Sequence, residues 1–133
     1  MKGVNKARGR GKSKVSYPLR GEIYQVKFDP TVGSEIRKTR AALVIQNDTG
    51  NQHSPITIIA AITSKVSALP FPVEVLIAPT KENGLSAPSA IHLNQIRSVE
   101  RQRLVMRLGS ADAATMTKVD QAISRRIQSM WRW

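Results

Sequence analysis

The chain has 133 residues, 41% hydrophobic and 23% charged, with no cysteine and a formal charge of +12. That length suits one domain with a modest core and is short for two. No apolar run approaches the roughly 18 residues of a membrane span, the basic N-terminus lacks the apolar core of a secretory signal, and the absence of cysteine removes disulfide and thiolate chemistry and fits a reducing cytoplasm.

The charge is unevenly placed. Residues 1–20 hold Lys2, Lys6, Arg8, Arg10, Lys12, Lys14 and Arg20 and no acid. A polyanion is the expected partner, nucleic acid being the commonest, and the plainer reading is that the charge serves solubility. Residues 1–19, rich in Gly, Lys, Arg and Ser, bury too little apolar area to offset their ordering entropy and are expected to form a disordered basic arm. The folded domain is then 20–133.

Glu22 to Phe28 alternates Ile23, Gln25 and Lys27 against Tyr24, Val26 and Phe28, as a half-buried first strand does. Pro30 and Gly33 break it, and the loop to Thr39 carries Ser34, Glu35, Arg37 and Lys38. A loop longer than a hairpin needs is a place for function. Ala41–Ile45 and Ile56–Ile62, rich in Val and Ile, read as two buried strands joined by a polar loop from Gln46 to Pro55. Arg40 opens the first and Thr63 closes the second. If these strands are antiparallel neighbours, both residues sit at one rim of the sheet, where a cation and a hydroxyl suit a phosphate.

Val73–Ile77 reads as a further strand, Lys81–Pro88 as a turn around Asn83-Gly84, and Ser89–Ile96 as a strand with one polar face. Ser98–Arg103 reads as charged and irregular, and Leu104–Leu108 as the last strand, ended by Gly109. Ser110 is placed to cap a terminal helix, with Asp112 in its first turn and an apolar stripe of Met116, Val119, Ile123, Ile127 and Met130. Short strands followed by one helix, without βα alternation, predict a mainly β fold: a small, strongly curved antiparallel sheet or barrel with a C-terminal helix.

Five segments in order, Arg20–Tyr24, Asp29–Glu35, Leu43–Asp48, Ala60–Thr63 and Leu93–Arg97, resemble the MazF/PemK toxins, sequence-specific endoribonucleases of toxin–antitoxin pairs. The resemblance runs from about Arg20 to Ile127. It implies an SH3-like barrel, a homodimer, a single-stranded RNA substrate, and a cognate antitoxin whose acidic tail fills the RNA groove. It also implies that Arg40 and Thr63 are catalytic and that Gln95 and Arg97 contact RNA.

Attack by the substrate's own 2′-OH leaves a 2′,3′-cyclic phosphate and a 5′-OH, and it asks the protein for a base, an acid and donors to the phosphate oxygens. No HExxH, Cys/His cluster, acidic triplet or P-loop is present, so neither a metal nor another cofactor is expected. Arg40 suits transition-state charge, and its plain alternative is a rim salt bridge to Glu22 or Glu35. Glu35 is the loop carboxylate suited to take the 2′-OH proton, and Ser34 beside it to touch phosphate or base. His53 and His92 are further RNA contacts, each with a plain reading, as a solvated loop residue and a structural strand residue respectively. Where some relatives have Arg and Asp this chain has His92 and Asn94, and Ala41 stands where the family usually has Pro after its catalytic Arg. The competing readings are a non-cleaving nucleic-acid-binding module and a gyrase-targeting toxin on the same barrel.

Overall fold

The computed structural model describes residues 15–28, 39–64 and 73–131, with side chains as far as residue 127. The elements in order are β1 (Glu22–Val26), β2 (Arg40–Val44), α1 (Asp48–His53), β3 (Ile56–Thr63), β4 (Glu74–Ile77), β5 (Ser89–Glu100), β6 (Leu104–Ser110) and α2 (Ala113–Trp131). The arm up to residue 14 and the loop carrying Ser34 and Glu35 lie outside the described residues.

All pairings are antiparallel, in a sheet of order β4-β5-β3-β2-β1-β6. Side chains alternate across it, and each face has its own core. On one face Ile23, Leu43, Ala60, Ile62, Val75, Ile91 and Leu93 pack against Val119 and Ala122 of α2. On the other, Val26, Ala42, Val44, Ile59 and Val99 form a second cluster bordered by Tyr24, Phe28 and Leu104. The first strand is therefore covered on both faces rather than half-buried, because the sheet curls over its second face.

Curvature comes from two devices. In β5, Ala60 pairs with Ile96 while its neighbour Ala61 pairs with His92, so Leu93, Asn94 and Gln95 are extruded from the ladder with β3. Such a bulge bends a strand sharply. The Leu93 amide is instead bonded to the Val73 carbonyl at 2.9 Å, which folds β4 onto the bend. The second device joins the free edges, β4 and β6. The loop after β4 is shaped by buried Asn83, whose Oδ1 accepts from the Thr80 and Leu85 amides, each at 3.0 Å. It crosses to β6, where the Ser110 amide donates to the Glu82 carbonyl at 2.8 Å.

Several details depart from the sequence-based expectations. The Gln46–Pro55 connection holds the short helix α1, begun by Asn47, whose side chain accepts from the Gly50 amide at 2.7 Å. The segment read as irregular from Ser98 continues β5 to Glu100 and then makes a single 3-10 turn. Strand β6 runs through Gly109 to Ser110. Asp112, not Ser110, caps α2: its Oδ1 accepts from the Thr115 amide at 2.8 Å. The Ser110 hydroxyl instead accepts from Arg107 Nη2 at 2.6 Å. Along the α2 stripe Val119 is fully buried, and Ile127 is 48% exposed. No helix among the described residues is long and apolar enough to cross a membrane.

Candidate functional site

The geometry begins with the register between β2 and β3. Ala42 faces Ala61, Leu43 faces Ala60 and Val44 faces Ile59. Continued by two residues, that register brings Arg40 level with Thr63, one strand away. Both lie on the face away from α2, since Ala41, Leu43, Ala60 and Ile62 turn toward the helix-covered core. The antiparallel arrangement expected for this rim is therefore present, with Arg40 exposed and Thr63 half-buried.

The far end of the same two strands is locked by a polar knot. Fully buried Asn51 accepts at Oδ1 from Gln46 Nε2 at 2.9 Å and from the Thr57 hydroxyl at 2.6 Å, while its Nδ2 donates to the Gln46 carbonyl at 3.0 Å. Arg101 reaches across from the turn after β5 to the Asn51 carbonyl at 3.0 Å. With that end fixed, neither strand can slip against the other without breaking the knot. The rim register is set from a distance.

Thr63 is bonded inward. Its Oγ1 lies 2.8 Å from His92 Nε2, and His92 Nδ1 lies 3.1 Å from Glu74 Oε2. The imidazole and the carboxylate are only 10% and 8% exposed. Nδ1 and the carboxylate are close enough to pair by charge, yet the carboxylate lies too far off the ring N–H direction for a hydrogen bond, and Nδ1 has no other partner. His92 faces Glu74 on β4 and Ala61 on β3, and Thr63, two residues beyond Ala61 on the same face, meets the ring on the diagonal. Glu74, His92 and Thr63 thus meet across three adjacent strands, and Arg40 opens the strand next to them.

Other residues singled out from the sequence are spread more widely. His92 is buried behind Thr63 rather than open to a ligand. Gln95 is exposed within the β5 bulge. Arg97 faces Ile59, four residues along β3 from Thr63, and its guanidinium stands 5.2 Å from the centre of the Phe28 ring. The two border an open groove of about 330 Å³ with Ile56, Val99 and Arg103. His53 ends α1, exposed, at the connection end of β2 and β3. It is separated from Thr63 by the length of β3, roughly 23 Å. Beside Thr63, a cavity of about 240 Å³ is lined by Gln25, Ser64, Ser86 and Ser89 among others.

Arg40 has no ion pair among the described residues, and Glu22, one of its two alternative partners, is held by Arg107 at 2.8 Å. The described residues contain no group of three or more His, Cys, Asp or Glu placed to hold a metal ion. The residue that sequence reasoning passed over is Glu74. Its signal was a lone carboxylate inside an otherwise apolar strand.

Comparison with known proteins converges on one family. The profile described as "PemK-like, MazF-like toxin of type II toxin-antitoxin system" matches residues 19–127. The chain is 42% identical over 104 residues to Endoribonuclease EndoA of Bacillus subtilis (strain 168), covering 78% of this chain and 89% of that protein. Among solved structures, MazF from Deinococcus radiodurans superposes with a TM-score of 0.67 at 23% identity, covering 86% of this chain and 99% of that one. An endoribonuclease in complex with its cognate antitoxin from Mycobacterial species gives a TM-score of 0.67 at 22% identity, covering 87% and 98%.

Proposed function

The chain belongs to the PemK/MazF family of toxins of type II toxin–antitoxin systems, and from that premise we propose that it is a sequence-specific endoribonuclease acting on single-stranded RNA in the cytoplasm. The observation that carries the reading is the convergence of Arg40 and Thr63 at one rim, on one face. An arginine fork binds two phosphate oxygens at once, and a hydroxyl beside it adds a third, rotatable donor.

In the proposed reaction the 2′-OH attacks the adjacent phosphorus. Glu35 takes its proton and the P–O5′ bond breaks. The leaving oxygen takes a proton from Arg40, which regains one from water, so that the products carry a 2′,3′-cyclic phosphate and a 5′-OH. Arg40 stabilises the charge that grows on the non-bridging oxygens, which is where fixed donors lower a barrier most. Because the nucleophile belongs to the substrate, the reaction needs no metal. Ser34, Gln95, Arg97 and His53 contact the RNA along its path. The Arg97–Phe28 pair supports this, because an aromatic ring under a guanidinium is a stacking surface for an unpaired base.

The partner is a cognate antitoxin with an acidic tail, which the net charge of +12 favours, and the working unit is a homodimer. The mycobacterial endoribonuclease solved with its cognate antitoxin supports an antitoxin partner, and the relative named Endoribonuclease EndoA supports the activity. The purified protein is expected to cut RNA in the presence of EDTA. Arg40→Ala is expected to lower kcat by about 10²- to 10³-fold while leaving the thermal melt and circular dichroism unchanged. Undiminished cutting by that variant rejects the site, and tight RNA binding without any cleavage by the native protein favours the non-cleaving reading.

A further inference from the structure

A buried polar pair is costly to build, and here it leads to a half-buried hydroxyl at the rim. Glu74 and His92 are almost fully covered, on strands whose opposite face buries Val75, Ile77, Ile91 and Leu93. Apolar residues at positions 74 and 92 would pack there without the penalty of burying a carboxylate and an imidazole. The pair reaches the hydroxyl of Thr63, 2.8 Å from Nε2, at the rim where Arg40 also stands. Nδ1, the buried ring nitrogen without an aligned hydrogen bond, faces the Glu74 carboxylate at 3.1 Å. A proton there meets the carboxylate's charge, an attraction less demanding of angle than a hydrogen bond.

We propose that His92, backed by Glu74, is a positioning residue for Thr63, and that the protonation state of its ring decides whether the Thr63 hydroxyl gives its proton to the imidazole or to a phosphate oxygen of the substrate. The proposal rests on the reading of Thr63 as a phosphate donor. In the neutral ring with its proton on Nδ1, Nε2 is an acceptor, and the single hydroxyl proton of Thr63 is spent on it. In the imidazolium both nitrogens carry protons. Nε2–H then donates to Oγ1, and the Thr63 O–H turns outward.

Among the described residues, the groups that set this equilibrium come from three neighbouring strands. From β4, Glu74 favours the charged ring. From β3 come only Ala61 and the uncharged Thr63, and one strand further Arg40 opposes the charge. On β5 itself the flanking side chains of the same polar character are uncharged, and α2 covers the opposite face with Met116, Val119, Ala122 and Ile123. A phosphate bound at Arg40 offsets that cation and tilts the ring toward the protonated form, so substrate itself helps to turn the hydroxyl.

The test is the pH dependence of cleavage of a single-stranded RNA oligonucleotide by the full chain, from about pH 5.5 to about pH 9, spanning the histidine range. Relative to wild type, His92→Gln is informative because its amide donates to Oγ1 at every pH. The wild type is expected to lose about tenfold in kcat as the ring deprotonates, and His92→Gln to lose that limb, its rate ratio across the range falling to about one. Glu74→Gln is expected to displace the limb, since the carboxylate 3.1 Å from Nδ1 is replaced by an uncharged amide. A merely structural pair would change the melting temperature and leave the limb where it is. A wild-type limb in His92→Gln overturns the proposal.

The ring can also be read without activity. The chain has two histidines, so the imidazole signals of His92 and His53 are separable by NMR. Thr63→Val is expected to displace the titration of His92 and leave that of His53 in place, and an unmoved His92 overturns the coupling even if the glutamine variant does not fold. Should the wild-type chain leave RNA uncut, the functional reading and the phosphate half of this proposal fall together, while the titration still decides the link between imidazole and hydroxyl.

Discussion

Arg40 and Thr63 are recognisable in the sequence because each is a polar residue at the end of an apolar run, and a strand carries its ends to a rim. Glu74 offers no such cue: its neighbours in sequence are apolar, and only the pairing of β4, β5 and β3 brings it to His92. Asn51 is a second residue whose role lies in tertiary contacts. Its side chain satisfies Gln46 and Thr57 in a fully buried place, so Asn51→Ala leaves a hydroxyl and a carbonyl without partners. Urea denaturation of that variant is expected to show a loss of about 2–3 kcal/mol. Because the knot lies at the far end of the strands, the pH–rate profile should keep its wild-type shape.

At the level of elements, the helix α1 escaped pattern reading because Asp48, Thr49, Gly50 and Asn51 are poor helix formers. What stabilises it is the Asn47 cap and the Asn51 knot, both contacts rather than propensities. The C-terminal helix was legible from its apolar spacing, yet its cap was misplaced by two residues, because Arg107 claims the Ser110 hydroxyl. At Asp112, the bonds from the Thr115 amide and side chain hold the carboxyl below the usual carboxylate range, with Lys118 adding to the effect. A lowered value means that the cap contributes fully above the ordinary carboxylate pKa and is lost as pH falls through the depressed one. Asp112→Ala is therefore expected to lower the melting temperature at neutral pH, and the difference from wild type should vanish in acid. A difference that persists at low pH would place the effect elsewhere than in the carboxylate.

For the whole molecule, the decisive event is closure of the sheet. The loop after β4 has to lie on β6, and at Gly84 the backbone has φ of +70° with the Leu108 carbonyl where a Cβ would go. Gly109 is equally crowded by the Glu82 and Asn83 carbonyls. Gly84→Ala is expected to cost at least about 1–3 kcal/mol, read by thermal or urea unfolding, through both strain and collision. The same substitution should weaken cleavage as well, since the loop borders the cavity beside Thr63. The charge of +12 acts at this scale too, drawing a polyanion toward the molecule without choosing the place where it binds.

The sequence by itself determined the class of the fold, the two central strands and the rim residues Arg40 and Thr63, because alternation, β-branched runs and strand ends are local properties that each stretch carries alone. The tertiary structure alone decided the closure of the sheet, the bulge that bends β5 and the meeting of Glu74, His92 and Thr63. These depend on pairing between segments far apart in the chain, and a three-residue bulge changes which side chains meet without leaving a mark on local pattern.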